Sequence, residues 1–211
     1  MTTRTVHPDR ARHAGPETRR SILDAALRTF SDFGYEGAST RAIATAAGIE
    51  QGHLAYYYPS KIALWKDVVE TFARDGELRL RQYLTPEFAH DPVGAVNHTL
   101  PPFLLSFAQN PRLTLLMLQE FSVTSARHEW VVETFGRPVW ELLRPLFEVL
   151  HQKGLLSGAP PALAYFSLIG SALITFGNPD LVSALAGDES SRSDWVDRAV
   201  EHMMRPILAS P

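Results

Sequence analysis

The chain has 211 residues, 45% hydrophobic and 20% charged, the balance of an ordinary globular protein with one or two cores. It holds no cysteine, which excludes a disulfide framework and a thiol nucleophile. The net charge of −3 is uneven: residues 1–62 carry eight basic and six acidic residues, and the remainder twelve basic and seventeen acidic.

Apolar positions recur at helical spacing nearly throughout and no alternating run of useful length appears, so the expected class is all-α, with about nine or ten helices and no internal repeat. Residues 1–15 are polar and basic, with Arg4, Arg10 and Arg12. They read as a flexible arm rather than an apolar signal stretch, and the expected location is cytoplasmic. An amphipathic helix follows from Glu17, with Ile22, Ala26, Phe30 and Phe33 on its inner stripe and Gly34 closing it.

Residues 39–61 then carry the signature of a helix-turn-helix, two short helices crossing so that the second can lie in a DNA major groove. Ser39 or Thr40 caps the first helix by accepting an orphan backbone N–H. Ile43, Ala44 and Ala47 face inward, and Gly48 supplies the left-handed turn at which a Cβ is penalised. Leu54 and Tyr57, three apart, form the inner stripe of the second helix, leaving Gln51, His53, Ala55 and Tyr56 outward. Pro59 ends that helix, and Ser60 caps the next, with Lys61 in its first turn.

Residues 17–66 resemble the N-terminal DNA-binding domain of the TetR/AcrR family of bacterial transcriptional regulators. The resemblance rests on Thr18-Arg19-Arg20-x-Ile22-Leu23-Asp24-Ala25-Ala26, on Phe30-x-x-x-Gly34-Tyr35, and on Ala44-x-x-Ala47-Gly48-Ile49. It continues through Gly52-x-Leu54-x-x-Tyr57-Tyr58-Pro59-Ser60-Lys61-x-x-Leu64. It implies that Thr40 and Arg41 begin the first helix of the motif and that Gln51 to Tyr57 form the recognition helix. Gly52, His53 and Tyr56 then join Gln51 on the DNA-facing side, while Tyr57 and Lys61 reach phosphate. Three positions depart from the family pattern: Glu50 stands where a capping serine is common, Ala55 replaces a frequent aromatic, and Ile62 replaces a frequent acidic residue. The implied division is an arm (1–15), a DNA-binding head (16–62) and a helical body (63–211) for ligand binding and dimerisation.

In the body, a helix is expected from Lys61 to about Leu84, with Leu64, Val68, Phe72 and Leu80 on one stripe. Pro86 marks a break, and Asp91-Pro92 and Asn110-Pro111 each start a helix, because proline suits a first helical turn. A longer stretch runs from about Ser125 to Lys153, kinked near Pro138 and Pro145. Others are expected at about 161–176 and 193–208. Residues 154–179 carry no charge, but glycines and prolines interrupt the span and leave its helical part shorter than the ~20 residues a membrane crossing needs, so a buried helix is expected.

The resemblance also implies a homodimer, placed here on helices near 137–153 and 161–176, and hence a palindromic operator in double-stranded DNA. It implies a small-molecule effector held among body aromatics, with Phe72, Phe103, Phe107, Gln119, Glu120, Trp140 and Phe166 as candidate lining. His98 and His151 are further polar candidates, and a salt-bridged Glu120 is the plainer account of that residue. The eight histidines show no metal-ligand spacing, and no cofactor is implied. Nothing resembles a paired-carboxylate, phosphate-loop or nucleophile–base signature, so no enzyme is expected. The expected function is a ligand-responsive repressor; the competing one is a helical ligand-binding or scaffolding protein whose DNA-binding head has decayed at Glu50 and Ala55.

Overall fold

Pro16 opens the first helix, α1 (Pro16–Gly37), at a position where its missing N–H leaves no hydrogen bond unmade. The structure is a computed structural model describing residues 15–84, 90–156, 158–205 and 207–208, without the side chains at 72, 75 and 79. Arg4, Arg10, Arg12 and Pro86 lie outside the described residues, as does the side chain of Phe72. The chain divides into two compact units, one up to Phe72 and one from Ala73.

The first unit holds α1, α2 (Thr40–Ala46), α3 (Gln51–Tyr57) and the start of α4 (Lys61–Tyr83). Its core takes Ile22, Ala26 and Phe30 from α1, Ile43 and Ala44 from α2, Leu54 from α3, and Leu64, Trp65 and Val68 from α4. Phe33 departs from expectation and stays 68% exposed. Gly34 leaves helical geometry at φ +67°, and Tyr35 beyond that break covers the core instead. The Tyr35 ring stacks on Phe30 at 6.0 Å and meets Trp65 edge-on at 6.2 Å.

The second unit holds the remainder of α4, then α5 (Pro92–Gln109), α6 (Pro111–Phe121), α7 (Ala126–Val131), α8 (Arg137–Gln152), α9 (Pro161–Gly177), α10 (Pro179–Ala186) and α11 (Trp195–Met204). The expected starts are built as read: the Asp91 carboxylate accepts the Gly94 N–H at 2.8 Å, and Pro111 opens α6. A π turn over Val132–Gly136 joins α7 to α8, with the Arg137 N–H reaching the Val132 carbonyl. It lies directly before Pro138, whose ring crowds the preceding turn and removes a donor, and the wider turn accommodates both. Pro145 lies inside α8. Counting α7, the π turn and α8 as one rod gives ten helices among the described residues.

Among the described residues the fold is all-α, with one isolated antiparallel bridge between Leu156 and Leu208. The body core gathers Leu80, Val96, Leu100, Leu104, Leu143, Phe147, Leu150, Leu168, Ala172 and Phe176. α6 packs along α9, and a Cβ at Gly177 would stand 3.2 Å from the Leu115 backbone nitrogen, so glycine there permits the approach. No single described helix is long and apolar enough to cross a membrane; α9 with the segment after it passes by composition only as a pair bent by 84°.

Tyr165 of α9 is buried beside Trp140 at 5.0 Å, and burial pushes its phenol up to about 12. The unfolded phenol ionises near 10, so this contribution is complete below pH 10 and is lost as pH rises towards 12. Stability of the body is expected to fall by about 2–3 kcal/mol over that window. Urea unfolding at pH 9 and pH 11.5 would show the fall, and Tyr165→Phe should flatten it.

Candidate DNA-binding surface

The turn between α2 and α3 is fixed almost entirely by local bonds. The Ser39 hydroxyl accepts the Ala42 N–H at 3.1 Å, which selects Ser39 over Thr40 as the cap of α2. At the other end the Ala47 N–H donates to the Ile43 carbonyl at 2.9 Å, and the Ile49 N–H reaches the Ala44 carbonyl at 3.0 Å. Between them Gly48 sits at φ +70°, the left-handed residue this closure requires. From α1, the Ser21 hydroxyl donates to the Ala47 carbonyl at 3.3 Å.

α3 begins at Glu50, whose backbone carbonyl accepts from His53 and Leu54 but whose carboxylate makes no capping bond. The departure from the family serine therefore leaves α3 without a side-chain cap. Leu54 is buried, while Gln51, Gly52, His53, Ala55 and Tyr56 face solvent. Thr40 is half-buried and Arg41 exposed at the start of α2. The His53 and Tyr57 rings stack at 5.4 Å, and Tyr56 meets Tyr57 edge-on at 5.2 Å. Polar and aromatic groups thus form one continuous outward ridge.

Two expectations need correction. Tyr57 is half-buried and belongs to this aromatic ridge; the inner stripe of α3 is completed by Tyr58, only 7% exposed. Spacings of three and four both return to the same helix face, and here four is used. Lys61 does not present its ammonium outward. Its Nζ donates to the carbonyls of Tyr35 at 2.8 Å, Ala38 at 3.1 Å and Glu36 at 3.4 Å, and lies 4.4 Å above the Tyr35 ring. The Gly34 break leaves the carbonyls at the end of α1 without helical donors, and a cation satisfies them at the negative end of the helix dipole.

Four residues not foreseen complete the site's framework. The Tyr58 hydroxyl donates to Asp67 Oδ2 at 2.6 Å, and Arg19 of α1 donates to Asp67 Oδ1 at 2.6 Å. Arg19 also reaches the Thr71 hydroxyl at 3.2 Å. Arg19 and Tyr58 stood within the matching motifs, but their partner on α4 gave no local signal.

Of the expected effector-lining residues, Phe103 belongs to the body core, and Phe107 and Trp140 pack against it. Phe103 and Phe107 pair edge-on at 5.3 Å, while Trp140 packs against Tyr165. Glu120 is 5% exposed and held by Arg127, with Nε 3.1 Å from Oε1, so the plainer account of that residue is the one observed. Gln119 is half-buried beside it, and Phe166 is 68% exposed on α9. His98 and His151 are exposed, and no cluster of metal-ligating side chains occurs among the described residues. A groove of about 850 Å³ instead runs between α9 and α11, lined by Leu163, Ser167, Ser171, Trp195, Arg198 and His202 among others.

Residues 22–68 match the sequence profile described as "Bacterial regulatory proteins, tetR family". The transcriptional regulator AcrR of Shigella flexneri is 35% identical over 102 residues, 48% of this chain and 46% of its own length. RutR of Escherichia coli K12 is 49% identical over 47 residues, 22% of each chain. The repressor KstR of Rhodococcus jostii is 30% identical over 129 residues, covering 61% of this chain and 59% of its own. The matches thus span about half of AcrR and less than a quarter of RutR. Over the whole chain, the fold is similar to that of HlyIIR, a hemolysin II transcriptional regulator, at TM-score 0.65 and 22% identity, covering 88% of this chain and 96% of that one. It is equally similar to a TetR-like regulator from Rhodococcus sp. RHA1, at TM-score 0.66 and 21% identity, covering 90% and 92%. The turn at Gly48, the outward ridge of α3 and the profile match at 22–68 coincide, and residues 22–68 form a helix-turn-helix domain of the kind found in the tetR family of bacterial regulatory proteins.

Proposed function

We propose that the chain is a ligand-responsive repressor that binds a palindromic operator as a dimer and is released by a small molecule. The observation that carries the DNA contact is the outward face of α3, where Gln51, His53 and Tyr56 stand exposed while Leu54 and Tyr58 close the underside. A solvated helix face ordinarily carries Glu and Lys; this one carries groups that read base edges. Gln51 can pair bidentately with adenine, His53 can donate or accept, and Gly52 allows close approach. Thr40 and Arg41 would meet backbone phosphate from the start of α2, joined by the Tyr57 hydroxyl.

Residues 16–62 are the DNA-binding head on this reading, and 63–211 carry dimer and effector functions. Of the two helices expected at the dimer interface, α9 has an uncovered apolar face, with Leu163 57%, Phe166 68% and Ile174 49% exposed. α8 turns its apolar stripe, Leu143, Leu146, Phe147 and Leu150, inward and presents Arg137, Glu141, Arg144 and Glu148 to solvent. On this reading the interface lies on α9 and the adjoining groove to α11. A twofold axis there would set two recognition helices about 34–36 Å apart, one DNA turn. The effector is placed among the body aromatics, near Phe103, Phe107 and Trp140. It acts by binding the DNA-incompetent arrangement more tightly, a population shift.

Selection from a randomised duplex pool should return an inverted repeat. Gln51→Ala should then lose about 10- to 100-fold for the selected duplex and relax preference at one base pair per half-site. Selection that enriches no sequence, or an unchanged preference in Gln51→Ala, would remove α3 as the reading element.

A further inference from the structure

We propose that Asp67 is the positioning residue of the recognition helix, fixing through Tyr58 the rotation at which α3 presents Gln51 and His53. The inference rests on the assignment of α3 as the DNA-reading helix and adds how its orientation is held.

α3 is seven residues long, too short to be stable or oriented by its own backbone bonds, and its N-cap contributes no side-chain bond. Leu54 is its one buried side chain. A single apolar contact resists withdrawal of the helix but not rotation about its axis. The second point of attachment is Tyr58, which ends α3 and whose N–H donates to the Leu54 carbonyl at 2.8 Å. Its ring is buried, and its hydroxyl donates at 2.6 Å to one oxygen of Asp67.

The other oxygen of Asp67 accepts from Arg19 of α1 at 2.6 Å, and Thr71, one turn further along α4, lies 3.5 Å from it. One carboxylate therefore ties the end of α3 to α4 and α1 together. Burial, and then the bond to Asp67, push the Tyr58 phenol well above its ordinary value, so it remains a donor at any ordinary pH. A bidentate base contact tolerates little displacement, and a small rotation of α3 carries Gln51 off its base edge. Phosphate contacts made by Thr40 and Arg41 from α2 would survive that rotation, because they belong to a different element, and of the proposed phosphate contacts only the Tyr57 hydroxyl would move with α3.

The experiment uses the full chain and two duplexes, one selected by the wild-type protein from a randomised pool and one unrelated duplex of equal length. Tyr58→Phe keeps the ring and removes only the hydroxyl; Asp67→Asn and the double variant complete a cycle. Affinity for the selected duplex should fall about tenfold in each single variant, and the double variant should be no worse than Asp67→Asn. Affinity for the unrelated duplex and the salt dependence of binding should change by less than about twofold. Equal losses on both duplexes, additive losses in the double variant, or a lowered melting temperature with the selected-to-unrelated ratio intact would each overturn the proposal. Gln51→Ala separates the two levels. If it lowers the ratio and Tyr58→Phe does not, the positioning role alone is wrong; if it leaves the ratio untouched, the reading role of α3 fails and the proposal fails with it.

Discussion

Replacing Phe166 and Ile174 of α9 together by aspartate is expected to turn the protein into a monomer and to lower its affinity for a two-half-site operator by about two to four orders of magnitude. Both side chains face solvent in the isolated chain, at 68% and 49% exposure, so the substitutions remove little from the subunit's own core. In a twofold interface each patch meets its own copy, so a single pair of substitutions places four uncompensated charges at the contact. The loss on DNA follows from geometry. A dimer delivers its second recognition helix at the effective concentration set by the first, and a monomer must bind each half-site independently. Light scattering gives the oligomeric state, and titration with a palindromic and a single-half-site duplex gives the coupling. Only the palindrome should lose affinity steeply. A retained dimer with circular dichroism unchanged would remove α9 from the interface. Arg144→Glu, on the charged outward face of α8, should leave the dimer intact and so separates the two helices first expected there.

The head was legible where its bonds are local. Ser39, Gly48 and Leu54 are each set by neighbours within a few residues, and each does what its type and spacing imply. Sequence reasoning failed where a distant partner decides. Tyr57 and Tyr58 compete for one inner position, and Asp67, nine residues on, selects Tyr58. Lys61 looked like a phosphate contact because nothing local shows that its ammonium is held by carbonyls 23–26 residues earlier.

In the body, helix existence was legible and the use of faces was not. Asn178-Pro179 opens α10 as Asp91-Pro92 and Asn110-Pro111 open α5 and α6, in a stretch between the helices expected at 161–176 and 193–208. The aromatic residues gave no sign of which face their neighbours would cover. Phe103 is buried and Phe166 is not, although both lie on strongly apolar helices.

Trp65→Ala is expected to cost the head about 3–5 kcal/mol, the range for removing a large aromatic from a closed core, and so to unfold it while the body stays folded. Trp65 is fully buried, lies edge-on to Tyr35, and joins the side of α4 that carries Leu64 and Val68 to the core of α1. Tyr35 in turn stacks on Phe30 and lies under the Lys61 ammonium, so the cavity would open at the point where α1, its Gly34 break and α4 meet. A head of fewer than sixty described residues has little stability in reserve, because a small unit buries a smaller share of its surface. The body has its own core around Leu100, Phe147 and Phe176, so it should keep its cooperative transition. Circular dichroism should lose the head's share of the helical signal, DNA binding should vanish, and melting should retain the body's transition within about 1 kcal/mol of its wild-type stability. Trp65→Phe, which fills most of the space, should restore most of the binding. The chain has four tryptophans, and Trp65 is the one in the first unit, so the emission lost in the variant reports the head alone. Loss of both units in one shifted transition would mean that α4 makes them a single cooperative structure, and the division near Phe72 would then describe geometry without describing stability.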